Sequence, residues 1–205
     1  MTEIKDKVIT KDAFALPYTI IKAKNQPTKG AIVYIHGGGL MFGKANDLSP
    51  QYIDILTEHY DLIQLSYRLL PEVSLDCIIE DVYASFDAIQ SQYSNCPIFT
   101  FGRSSGAYLS LLIARDRDID GVIDFYGYSR INTEPFKTLP PVFITHCNGD
   151  YDVPVEESEH IMNHVPHSTF ERVNKNEHDF DRRPNDEAIT IYRKVVDFLN
   201  AITMM

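Results

Sequence analysis

Apolar residues along this chain follow two rhythms. Short, nearly unbroken apolar runs alternate with longer stretches in which apolar positions return every three or four residues. "AIVYIHGGG" (31–39) is a run of the first kind and ends in glycines. "PQYIDILTEHY" (50–60) reads as a helix and "DLIQLSYR" (61–68) as the next strand. Residues 74–90 place Leu75, Ile78, Ile79, Val82, Phe86 and Ile89 on one helical stripe. A strand "IFTFG" (98–102), a helix "SGAYLSLLIARD" (105–116) and strands in "IDGVIDFYG" (119–127) and "PPVFITHCNG" (140–149) follow. "EESEHIMNHV" (156–165) reads as a helix and "TFERVN" (169–174) as a strand. A last helix, from Asp186, repeats Ile189, Tyr192, Val196 and Leu199. Two runs before all these, "KVIT" and "ALPYTIIKA" with Pro17, predict an edge hairpin. Apolar strands alternating with amphipathic helices predict an α/β fold, a mostly parallel sheet covered on both faces.

No internal repeat, low-complexity tract or linker divides the 205 residues, so one domain spanning 1–205 is expected. The net charge of −10 argues against nucleic acid and against an anionic membrane surface, since both reward basic patches. No run approaches the roughly 20 apolar residues of a spanning helix. The charged start "MTEIKDKVITK" has no apolar core of a signal peptide. Cys77, Cys96 and Cys147 are odd in number and irregular in spacing, which fits free thiols in a reducing compartment. A cytoplasmic location is therefore expected.

The candidate chemistry lies in four segments. "GRSSG" (102–106) is G-x-S-x-G with Ser104 at its centre, between a predicted strand and a predicted helix. A sharp strand-to-helix turn needs small neighbours and lets the serine hydroxyl project above the sheet. Its other reading is a tight turn with two exposed hydroxyls. Ser105 is out of register for attack, so its backbone N–H is its expected contribution. "HGGGL" (36–40) frees backbone N–H groups to face a developing oxyanion. It lacks the Lys-Ser/Thr of a phosphate-binding loop, and His36 is expected to orient the loop. "HCNGDYDVPVEES" (146–158) offers Asp150 and Asp152, either of which could orient a histidine or serve an acidic loop. "NKNEHDFDRRP" (174–184) places His178 in a polar loop after the last predicted strand. Serine, then aspartate, then histidine, each after a strand, is the α/β-hydrolase order. All three can gather at the carboxyl edge of a parallel sheet. His160 and His164 stand four apart but lack the glutamate of H-E-x-x-H, so no metal is expected. The helix around Asp81 reads as structural, and Arg182 and Arg183 as solvated.

Together these segments resemble an α/β-hydrolase and, more narrowly, the hormone-sensitive-lipase-type esterases. "HGGGL" resembles that family's oxyanion motif, "SYRLLPE" (66–72) the segment after its next strand, and "GRSSG" its nucleophile elbow. "DYDVP" (150–154) resembles its Asp-x-x-Val-Pro, which selects Asp150, and "EHDF" (177–180) its histidine loop. The resemblance implies a catalytic set of Ser104, Asp150 and His178. It implies oxyanion donors at Gly38, Gly39 and Ser105, and no cofactor. The family usually carries an acidic residue and an alanine where this chain has Arg103 and Ser105. It also usually inserts a helical lid where this chain has only "YSRINTEPFKTLPP" (128–141), whether by nature or by excision.

A missing lid predicts an open site with an apolar rim, for which Met41, Phe42, Tyr126 and Tyr128 are the candidates. Such a rim favours self-association into a homo-oligomer. The expected activity is cleavage of a small-molecule carboxylic ester through an acyl-enzyme. The alternatives are a peptidase, thioesterase or lactonase using the same three residues, or a weak hydrolase fold serving as a binding module.

Overall fold

In the computed structural model, which describes residues 2–129 and 139–204, the short apolar runs become one eight-stranded sheet. The strands are β1 (Glu3–Ile9), β2 (Ala15–Ile21), β3 (Ala31–Ile35), β4 (Asp61–Leu65), β5 (Ile98–Arg103), β6 (Gly121–Phe125), β7 (Val142–Cys147) and β8 (Thr169–Val173). The helices are α1 (Pro50–Leu56), α2 (Leu75–Gln92), α3 (Ser105–Asp116), α4 (Glu156–His164) and α5 (Asp186–Thr203). The sheet order is β1-β2-β4-β3-β5-β6-β7-β8, parallel from β4 to β8 and antiparallel only at the β1–β2 hairpin and its junction with β4. This is the α/β-hydrolase fold, and no lid element is present among the described residues. The connection 128–141 falls mostly on 130–138, outside those residues.

The unbroken apolar runs follow from burial on both faces of the sheet. In β3, Val33 and Ile35 join the core under α2, α3 and α4, while Ile32 and Tyr34 join the core under α1 and α5. Side chains alternate across a strand, so a strand covered on both sides must be apolar throughout. Ser74 and Asn185 cap α2 and α5 by accepting the N–H groups of Cys77 and Ala188, each cap worth about 1 kcal/mol.

Three details differ from the sequence pattern. Leu75 begins the α2 stripe but is exposed. The buried face of α5 is Ala188, Ile191, Tyr192, Val195 and Leu199, turned slightly from the expected stripe, leaving Ile189 and Val196 half-buried. Of the hairpin strands, only β1 forms the sheet edge. Pro17 is tolerated in β2 because the β2–β4 ladder begins one residue later, at Tyr18.

Position in the sheet selects the site. From β3 the chain leads to β4 on one side, and from β5 to β6 on the other. The loops leaving β3 and β5 therefore diverge, and a crevice opens between them at the carboxyl ends of the strands.

Candidate active site

Ser104 leaves β5 and enters α3 at φ 52° and ψ −121°. This backbone region is sparsely populated for a residue with a side chain and costs about 1–3 kcal/mol. The surroundings enforce it. Ser104 N–H donates to the Phe125 carbonyl at 2.8 Å, and α3 is drawn hard against β3. A Cβ on Gly106 would lie 2.1 Å from the Ile35 carbonyl oxygen, so only glycine fits that contact.

The turn delivers Ser104 Oγ to His178 Nε2 at 2.8 Å, and His178 Nδ1 lies 2.6 Å from Asp150 Oδ2. A carboxylate only accepts, so Nδ1 carries the proton and Nε2 is left to accept from the serine hydroxyl. The second oxygen of Asp150 accepts the N–H groups of Asp152 and Val153, at 2.8 and 2.9 Å. Of the two aspartates open in the sequence, the structure brings Asp150 to His178. Asp152 is exposed and lends Asp150 only its backbone.

The glycine loop curls beside this chain. Gly38 and Gly39 have φ of 109° and 61°. The Gly38 carbonyl accepts from Met41 and Phe42, both at 3.0 Å, and a Cβ on Gly38 would strike the Phe42 carbonyl oxygen at 2.3 Å. Among the described residues no acceptor takes the N–H groups of Gly38, Gly39 or Ser105. The Ser105 hydroxyl has a use of its own: it accepts the N–H of Leu40 at 3.3 Å and ties the loop to α3. His36 orients the loop from beneath. Its ring stacks on Tyr67, its Nδ1 lies 2.7 Å from the Gly37 carbonyl, and the Tyr67 hydroxyl donates to the His36 carbonyl at 2.8 Å. Burial lowers its pKa, so the ring is neutral at pH 7.

A cleft of about 820 Å³ opens over these groups, lined by Gly38, Phe42, Arg103, Ser104, Val153 and His178 among others. Met41, Phe42 and Tyr128 are exposed, and of the three Phe42 lines the cleft; Tyr151 is a further exposed aromatic beside the aspartate loop. Tyr126 lines the cleft but departs from the expectation of an exposed rim residue: it is only 1% exposed. At φ 46°, its backbone turns the ring down into the protein, edge-on to His178. Its hydroxyl donates to Asp181 Oδ1 at 2.6 Å and accepts from Arg103 Nε at 2.7 Å. Burial raises its pKa well above the ordinary tyrosine value, which keeps the hydroxyl protonated.

Arg103 thus finds its counter-charge below the cleft. Its Nη2 donates to Asp181 Oδ1 at 2.9 Å, and Nη1 lies 3.5 Å from Asp47, which also accepts from Tyr34. Tyr192 of α5 donates to the other Asp181 oxygen at 2.8 Å. The sequence pattern gave no role to Asp47, Asp181 or His146. For Asp181 a signal existed, since "HDFD" sets it three residues after His178 in an otherwise solvated-looking run. His146 lies fully buried at the end of β7, with Nε2 3.1 Å from Asp150.

Residues 32–134 match the model of a family described as alpha/beta hydrolase fold. A Staphylococcus aureus subsp. aureus Mu50 protein of unknown function is 73% identical, over 98% of this chain and 99% of that one, with a TM-score of 0.94. An alpha/beta hydrolase superfamily protein from Enterococcus faecalis is 22% identical over 96% and 98% of the two chains, with a TM-score of 0.83. A hyperthermophilic esterase from Pyrobaculum calidifontis is 14% identical over 100% of this chain and 87% of that one, with a TM-score of 0.82. Comparison with curated proteins finds no match. No helix among the described residues is long and apolar enough to cross a membrane.

Proposed function

We propose that this chain, which belongs to the α/β-hydrolase fold family, is a cytoplasmic serine esterase of the hormone-sensitive-lipase type, built as a single domain. It cleaves small carboxylic esters. The support is the chain of hydrogen bonds from Ser104 Oγ through His178 to Asp150, opening into a cleft beside three glycines.

His178 Nε2 takes the Ser104 proton as Oγ attacks the ester carbonyl. Asp150 holds the Nδ1–H tautomer and stabilises the imidazolium that forms. The carbonyl oxygen becomes an oxyanion and is met by the N–H groups of Gly38, Gly39 and Ser105, each such donor being worth roughly 10²–10³ in rate. His178 returns the proton to the departing alcohol, leaving an acyl group on Ser104. Water then attacks this acyl-enzyme, with His178 again as base, and releases the acid. Met41, Phe42 and Tyr128 offer apolar surface to the acyl or alcohol chain. The strain at Ser104, and a hydroxyl that leaves its own helix uncapped and meets His178 instead, are what a nucleophile requires and a mere corner does not.

Hydrolysis of p-nitrophenyl acetate and butyrate by wild type and Ser104→Ala tests this. The expected result is loss of activity in the variant down to the background of roughly 10³–10⁴ over water that binding and oxyanion donors alone sustain. Equal rates in the two proteins would overturn it.

A further inference from the structure

Asp150 has a second histidine behind it. The Asp150 side chain is wholly buried, and both its oxygens are occupied. Oδ1 accepts two backbone N–H groups. Oδ2 faces His178 Nδ1 at 2.6 Å on the cleft side and His146 Nε2 at 3.1 Å on the core side. The His146 Nε2 hydrogen bond itself runs to the Val153 carbonyl at 2.9 Å, with Asp150 Oδ2 as a second, longer polar contact. Both of these neighbours only accept, so Nε2 must carry the proton. His146 Nδ1 then accepts from the Ser158 hydroxyl of α4, at 2.7 Å. Burial lowers the His146 pKa, in keeping with a neutral ring whose single N–H points at the turn.

We propose that His146 is a positioning residue for the hydrolytic site, its Nε2–H holding Asp150 Oδ2 against His178 and sharing the charge that His178 would otherwise face alone. The inference rests on Ser104, His178 and Asp150 acting as proposed above. Ser158 extends the arrangement: by donating to Nδ1 it holds the ring in the orientation that keeps Nε2–H on the turn. The continuous line is Ser158, His146, Asp150, His178, Ser104, running from α4 through the end of β7 to the cleft.

The charged and titratable groups around this line come from several elements. Asp150 lies between the rings, and Tyr126 packs on His178 with Arg103 and Asp181 behind it. Glu157 precedes Ser158 on α4 and binds Ser129. Cys147 follows His146, is pushed up to about 12 by burial, and is faced by Glu177, Asp150 and Lys175.

Removing the His146 N–H takes away the polar group that stands 3.1 Å behind Asp150 Oδ2. The carboxylate then attracts the His178 proton more strongly, so the imidazolium persists to higher pH. In His146→Leu the acid limb of kcat/KM and the midpoint of the His178 ring titration, followed by NMR without substrate, should both rise by roughly half a unit to one unit. KM should stay within about twofold, because His146 touches no substrate. In His146→Gln the side-chain amide can restore a donor, and both midpoints should return toward wild type. A purely structural loss would lower rate and stability without moving either midpoint or being reversed by glutamine.

Ser158→Ala provides a second test if the leucine variant does not fold. It removes the hydrogen bond that holds the His146 ring in place and should shift the midpoints in the same direction by less. Unmoved titration in folded His146→Leu or Ser158→Ala overturns the proposal. Midpoints that shift as described, in a protein whose ester hydrolysis does not depend on Ser104, would uphold the His146 arrangement and overturn the esterase reading.

Discussion

Replacing Asp181 by alanine leaves three donors without their acceptor in the interior. Arg103 Nη2 and the hydroxyls of Tyr126 and Tyr192 all point at this carboxylate, which is wholly buried. Arg103 itself is only 8% exposed, so water does not replace the lost partner. Breaking a buried pair from one side costs about 3–5 kcal/mol. That is a large share of the roughly 5–15 kcal/mol that holds such a domain together. At about 2–4 °C per kcal/mol for a chain of this size, the melting temperature should fall by roughly 6–20 °C. Asp12 is the internal control: it pairs with Arg68 at the surface, where solvent screens the pair, and Asp12→Ala should leave the melt close to that of wild type. Replacing both partners, as Arg103→Met with Asp181→Leu, should recover much of the loss, because apolar side chains leave no stranded charge. Circular dichroism melts of the four proteins decide this. An Asp181→Ala melt within about 2 °C of wild type would refute the reasoning. It would mean that Asp47, now 3.5 Å from Arg103, can take over the whole charge.

Three further outcomes follow from the geometry. Gly38→Ala should lose roughly 10²–10³ in kcat, since a Cβ meets the Phe42 carbonyl and the loop must move its N–H groups; an unchanged kcat would remove Gly38 from the oxyanion site. Asp150→Asn should lower kcat by about 10⁴ through the wrong histidine tautomer, while Asp152→Asn stays within a few fold; the reverse ranking would make Asp152 the orienting acid. Burial lifts the Asp124 carboxyl from 3.8 to about 7, against the opposing N–H of Gly127. The folded protein therefore holds a proton that the unfolded chain gives up, and stability should decline as pH rises between those two values. The decline totals on the order of 4 kcal/mol at about 1.4 kcal/mol per unit. Asp124→Asn should flatten it in urea melts, and an identical slope in both proteins would contradict the assignment.

Much of the fold could be read from the chain because burial on two faces writes itself into sequence. The runs "AIVYI" and "VFI" are apolar because no side of them meets water. The order of the site segments was legible for a related reason: parallel strands deliver every following loop to one edge. What stayed hidden is what depends on distant partners. Tyr126 looks like a rim aromatic until its backbone turns it inward, toward an arginine 23 residues earlier and an aspartate 55 residues later. Arg103 looks misplaced beside Ser104 until Asp181 and Asp47 arrive from other loops. His146 is one more polar residue in a strand until the turn folds Asp150 back over it. Polar partnerships of this kind have no period, so hydrophobic patterning does not announce them, and only the spacing of Asp181 from His178 hinted at one.

The central claim is that Ser104 is an activated nucleophile. An alkyl fluorophosphonate reacts with such a serine and leaves an adduct whose position peptide mass spectrometry reads directly. The account predicts one adduct per chain, on Ser104, formed by wild type, abolished in Ser104→Ala and strongly slowed in His178→Gln. Labelling elsewhere, or labelling of Ser104 at the same rate in the His178 variant, would contradict it.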